Sequence, residues 1–174
     1  MDFELDFARD TLSRTPVVLH ALLWDLPGDW AKQNEGEDTW SPYDVVGHLI
    51  HGELTDWIPR TRIILQRGLE ETFEPFDRFA QFESSAGKSL NELLEEFAIL
   101  RKQNLEILDE LDLTAHHLTL ESRHPEFGVV TLRQMLSTWV VHDLDHIGQI
   151  VRVMASGYAS EVGPWSAYLR ILGG

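Results

Sequence analysis

The stretch Thr131–Ser156, TLRQMLSTWVVHDLDHIGQIVRVMAS, decides the fold. Thr131 followed three residues on by Gln134 reads as a capping box, and Gly157 is a natural stop, so the spacing predicts one long helix. Stepping by three or four along it gives Met135, Trp139, His142, His146, Ile150 and Val153. This is one apolar stripe, and it has to be buried against other helices. Two histidines interrupt it, one turn apart on the buried face. Buried imidazoles need partners. They are either core histidines satisfied by carbonyls or carboxylates, or ligands to a shared divalent metal ion.

Three more helical segments lie upstream. One begins at the capping box Ser89-Leu90-Asn91-Glu92 and runs to about Glu110, with Leu93, Leu94, Phe97, Leu100, Leu105 and Leu108 facing inward. Another begins at Ser41-Pro42, where Ser41 can cap and Pro42 loses nothing by lacking an N–H. It runs to about Gln66 before Gly68, with a bend expected at Pro59. The first runs from about Leu5 to Asp25 and closes at Pro27-Gly28. Its stripe is Leu12, Leu19, Leu22 and Leu23, and a kink or restart is expected at Thr15-Pro16. The phenylalanines at 73, 76, 79 and 82 are expected to fold back onto the helices, because aromatic area is costly to leave wet. Leu118–Arg123 and Val129–Thr131 are candidates for a short hairpin. Pro164-Trp165 is expected to open a short last helix through Leu172, packed on the bundle, with a pocket wall or a dimer seam as alternatives.

Four amphipathic helices with little strand signal predict an all-α, four-helix bundle spanning residues 1–174 as a single domain. The chain carries 29 acidic and 14 basic residues, a net charge of −15, which repels phosphate backbones and anionic lipids and argues against nucleic-acid or membrane partners. It has no cysteine, which removes disulfides, thiolate ligands and a cysteine nucleophile and fits a cytoplasmic location. The acidic start and the absence of a long apolar run predict neither a leader nor a membrane anchor.

A third metal ligand would come from the helix carrying His48 and His51. His48 lies in line with Val45, Gly52 and Thr55, and Gly52 either leaves room beside it or permits close packing. His51 lies about 60° off that line and reads as a rim residue, a second choice. His20, His116, His117 and His124 fall in surface or loop positions. Asp44, Glu53, Asp143 and Asp145 are candidates to orient the ligand rings, with solvated helix charges as the simpler reading; Trp139 and Gln149 read as packing residues.

Trp40-Ser41-Pro42, Val46-Gly47-His48-Leu49 and His142-Asp143-Leu144-Asp145-His146-Ile147-Gly148-Gln149-Ile150 together resemble the DinB-like superfamily in order and spacing over nearly the whole chain. The resemblance implies a four-helix bundle with a three-histidine metal site, His48 matching the helix-two ligand and His142 and His146 the helix-four pair. It also implies a homodimer and a metal-dependent enzyme acting on a small-molecule substrate. Relatives include bacillithiol S-transferases, mycothiol-dependent isomerases and proteins described as metal-dependent hydrolases. The cofactors implied are a divalent ion (Zn, Ni, Fe or Mn) and, for thiol transfer, an external low-molecular-weight thiol. A non-catalytic metal- or ligand-binding bundle is the alternative.

Overall fold

Ser41 accepts from the backbone N–H of Asp44 while the Asp44 carboxylate accepts from the backbone of Ser41, and this reciprocal cap starts the helix that carries His48. The computed structural model describes residues 3–173 and shows a four-helix bundle. In chain order the helices are α1 (Leu5–Leu23), α2 (Gly28–Ala31), α3 (Pro42–Thr55), α4 (Trp57–Gln66), α5 (Gln81–Ser84), α6 (Leu90–Glu110) and α7 (Leu132–Ser156). A two-stranded antiparallel hairpin, β1 (Glu121–His124) with β2 (Gly128–Thr131), fills the connection from α6 to α7. The caps expected at Ser89 and Thr131 both form.

Two prolines act differently from expectation. Pro59 does not bend one continuous helix. The helix breaks at Asp56 into α3 and α4, which fits the clash of a proline ring with the carbonyl four residues back, here that of Thr55. Pro16, by contrast, neither restarts nor ends α1, which runs through it, and Thr15 is a buried side chain rather than a cap. The carbonyl that Pro16 cannot engage is that of Leu12. It accepts instead from Arg101 Nη1 at 2.8 Å, so the lost helical bond is replaced by one from another helix.

The core is divided. One cluster gathers Leu19, Leu23, Val45, Val46, Leu49, Ile50, Leu93, Phe97 and Ile150. The other gathers Leu12, Trp57, Ile58, Leu105, Leu108, Leu132, Leu136 and Trp139. On each long helix a polar side chain falls between the members of the two clusters: Thr15 on α1, Glu53 on α3, Arg101 and Asn104 on α6, Asp143 on α7. Each fully buried Leu or Phe contributes roughly 1.5–3 kcal/mol. The apolar layers therefore hold the bundle, with the polar layer lying between them.

Outside the bundle, Phe73 is buried and Phe76 half-buried, whereas Phe79 and Phe82 are exposed, so only two of the four rings fold back. The C-terminal segment forms 3₁₀ turns at Gly163–Tyr168 and Arg170–Leu172 rather than an α-helix. Trp165 and Tyr168 are 70% and 85% exposed, which corrects the expectation that they pack on the bundle. Among the described residues no helix is long and apolar enough to cross a membrane.

Candidate metal centre

α3 and α7 bring three imidazoles together at the level of the polar layer. His48 Nε2 lies 3.0 Å from His142 Nε2, and His146 Nε2 lies 3.2 Å from His142 Nε2. One nitrogen from each ring falls within 4.8 Å of the others. His48 and His146 are buried and His142 is half-buried. His51 stays out of the cluster, its ring 4.9 Å from that of Phe76. His20 and His116 lie at the surface, His117 is half-buried, and His124 is half-buried at the end of β1.

The three rings sit in an aromatic shell. Trp40 lies 4.7 Å from the His48 ring, Trp57 5.2 Å from His142, and Phe76 5.4 Å from His48. Burial among these rings lowers the pKa of all three histidines, and mutual repulsion between the imidazoles adds to it for His48 and His142. His48 is pushed down to about 3 and His142 to about 2. All three are therefore neutral at physiological pH, the state in which imidazole offers a lone pair.

A divalent ion fits this donor set. Metal–nitrogen distances of about 2.1 Å place neighbouring ligand nitrogens ~3.0–3.4 Å apart, and the two shortest separations fall in that range. His146 Nδ1 lies 2.9 Å from Gln149 Oε1, which puts its proton on Nδ1 and turns the Nε2 lone pair toward the other rings. Three converging nitrogens without a cation satisfy one another poorly, because a neutral imidazole has one donor and one acceptor. The Nδ1 atoms of His48 and His142 are buried with no hydrogen-bond partner.

None of the four carboxylates expected to orient the rings hydrogen-bonds to a histidine among the described residues. Asp44 caps α3, and Asp145 is exposed. Glu53 and Asp143 belong to the polar layer, where Arg101 holds both. Arg101 Nε and Nη2 donate to Glu53 Oε1 at 3.1 and 2.8 Å, and Nη1 and Nη2 donate to the two Asp143 oxygens at 2.6 and 3.0 Å. Trp139 Nε1 and Asn104 Nδ2 also donate to the Glu53 carboxylate, and Thr15 Oγ1 donates to Asp143. Burial opposes the charge on Arg101, but Asp143 and Glu53 outweigh it and raise its pKa. Burial raises Glu53, and Arg101 and Asn104 oppose that. Four donor bonds reach the Glu53 oxygens and none is asked of them, so the ionised form is the one this arrangement holds.

Sequence reasoning missed this network, and it missed the contact of Gln149 with His146. The signal for the first was present: Arg101 and Asn104 fall in line with Phe97, Leu94 and Leu108 on the buried face of α6.

A cavity of about 360 Å³ opens beside the cluster, with His48 and His142 in its wall. Gly52 also lines it, and a Cβ there would come within 3.2 Å of Trp57 Nε1, so this glycine serves both close packing and space. Asp56 faces the same cavity, its pKa raised by burial to about 6 against the opposing Arg60. Arg60 Nε lies 2.6 Å from Asp56 Oδ1, a close and largely buried ion pair. A second, shallower cavity of about 500 Å³ meets the cluster from the side of His146 and Gln149.

A family model described as the DinB superfamily matches residues 11–150. Among solved structures, the chain is similar to YfiT from Bacillus subtilis, described as a probable metal-dependent hydrolase with an unusual four-helix bundle topology. The TM-score is 0.77 at 20% identity, covering 89% of this chain and 90% of that one. No curated protein matches the chain significantly.

Proposed function

The chain belongs to the DinB superfamily, and from that premise we propose that it is a divalent-metal-dependent enzyme acting on a small molecule, with His48, His142 and His146 as the metal ligands. The observation that carries this reading is the convergence of three neutral imidazole nitrogens beside a cavity. Three protein ligands rather than four would leave a bound ion with a position for water or substrate, as in catalytic rather than structural sites. Such an ion supplies a Lewis acid that lowers the pKa of a water or thiol.

The chain's own residues set the conditions for that chemistry. Gln149 fixes the tautomer of His146. Trp40, Trp57 and Phe76 shield the three rings from solvent and keep them unprotonated at neutral pH. Arg101 holds Asp143, the neighbour of His142 in sequence, and Glu53, five residues beyond His48, and so fixes α7 and α3 against each other.

The description of YfiT as a probable metal-dependent hydrolase favours hydrolysis as the reaction. Thiol S-transfer is the second reading. It is favoured by the family resemblance, and it needs an external low-molecular-weight thiol because the chain has no cysteine. The test is elemental analysis of the purified, untagged protein beside the His48→Ala, His142→Ala, His146→Ala triple variant. About one equivalent of metal is expected in the native chain and none in the variant. No metal in either, after incubation with zinc, nickel or manganese, would make the three histidines core residues. Hydrolase and thiol-transfer screens of the loaded protein then separate the two reactions.

A further inference from the structure

Two arginines face the 360 Å³ cavity beside the histidines, and their situations differ. Arg60 is engaged: its Nε lies 2.6 Å from the Asp56 carboxylate and its Nη2 donates to the Glu74 carbonyl at 3.1 Å. Arg78 has no carboxylate and no hydrogen-bond acceptor among the described residues. Its guanidinium lies 4.8 Å from the Phe79 ring and 5.9 Å from that of Trp40, and such stacking leaves the in-plane N–H donors free. Arg78 is exposed at the cavity's edge, a cation without an acidic partner in a chain with about twice as many acids as bases.

Position adds to this. Arg78 lines two of the cavities that meet the histidine cluster, together with Phe76, His48 and His142. The rest of the 360 Å³ cavity offers mainly apolar surface, with Trp57, Phe73, Phe127, Val130 and Met135 in its wall. Its volume suits one small organic molecule.

We propose that this cavity is the substrate chamber, that it takes a small molecule with an apolar or aromatic body and one oxyanionic group, and that Arg78 receives that group at the junction beside the histidines. The proposal rests on the metal-site reading for the statement that the bound molecule is a substrate. The binding itself does not depend on it. A planar guanidinium offers two parallel N–H donors to a carboxylate or phosphoryl group, while the apolar wall takes the body by burial. Arg78 is thereby a specificity-determining residue, selecting anions over neutral molecules of the same shape.

The test is direct binding, by calorimetry and thermal shift, of 3-phenylpropionate, phenyl phosphate and the neutral 3-phenylpropanamide. Native protein, Arg78→Gln and Arg78→Lys are compared, with metal content measured on the same samples. Native protein is expected to bind at least one of the anions roughly tenfold more tightly than the amide. Arg78→Gln should abolish that preference and Arg78→Lys keep part of it. Preference for the first probe points to a carboxylate, for the second to a phosphate monoester. Equal binding of amide and anions, no binding of either anion, or an anion preference unchanged in Arg78→Gln, overturns the proposal. Anion preference that depends on Arg78 in protein carrying no metal supports the chamber and refutes the metal reading alone. Metal bound without anion preference does the reverse.

Discussion

Replacing Arg101 by Met should be the most damaging single change in the polar layer, and its cost should depend on pH in a particular direction. Met keeps much of the side chain's volume and removes its charge. Glu53 and Asp143 are then left as two buried carboxylates with no cation between them, and the Leu12 carbonyl freed by Pro16 loses its donor. Removing one partner of a buried ion pair costs ~3–5 kcal/mol. Arg101 is 1% exposed and serves two such partners, so the upper end of that range is expected near neutral pH. The pH signature follows from linkage. Without Arg101, burial and the neighbouring Asp143 charge raise the folded-state Glu53 pKa above its unfolded value. A carboxyl raised on folding contributes stability at low pH and loses it as pH rises through the folded value, with a slope approaching ~1.4 kcal/mol per pH unit for each proton. The deficit of Arg101→Met relative to the native chain should therefore be smallest near pH ~5 and grow toward pH ~8. Urea unfolding followed by circular dichroism and tryptophan fluorescence, with chelator in both samples, measures it. A loss below ~1 kcal/mol near pH ~8, as for an exposed pair, or a deficit that does not change with pH, would falsify the account of Arg101 as the cation that holds the layer.

Two further outcomes follow from the histidine cluster. In chelator-treated protein the folded imidazoles of His48 and His142, held near pKa 3 and 2, refuse protons that the unfolded chain accepts below about 6.5. Stability should therefore be fully present above that value and fall as pH drops below it, and a His48→Ala, His142→Ala double variant should show a flatter dependence in the same urea titration; equal slopes for the two proteins would refute it. Gln149→Leu removes the acceptor that orients His146 and should weaken metal affinity roughly tenfold or more, read by competition with a chromophoric chelator, while urea stability of the metal-free protein changes little. Unchanged affinity would mean that the Gln149 contact plays no part in presenting His146.

Much of the architecture can be read from punctuation. The caps at Ser41, Ser89 and Thr131 form as expected because each is a local hydrogen-bond exchange that needs nothing from the rest of the chain. The four-helix bundle follows from the stripes, and the meeting of His48, His142 and His146 was legible because helical spacing puts each on the face its stripe buries. What stayed hidden depends on contacts between helices. A proline's effect is settled by what else can use the freed carbonyl: for Pro16 it is Arg101, whereas at Pro59 the helix breaks. Glu53 and Asp143 look like candidates to orient histidines until Arg101 is placed between them, and that pairing joins residues 48 and 42 positions apart. Phe79, Phe82, Trp165 and Tyr168 show the limit of composition, since a large ring is folded back only where a neighbouring surface is free to receive it.

His48 and His142 stand 94 residues apart in sequence, and their nitrogens nearly touch. With an ion bound, a chain that owns no cysteine acquires a reversible crosslink between α3 and α7. For a covalent bridge of that span, the entropy withdrawn from the unfolded chain corresponds to ~4–5 kcal/mol. The term grows only with the logarithm of the loop. Residues could be added to the β1–β2 hairpin or to the Phe-rich connection between α4 and α6 with little change in what the crosslink contributes. The intervening segments are free to vary in length and reshape the cavity mouth while the clasp between the two helices keeps its strength.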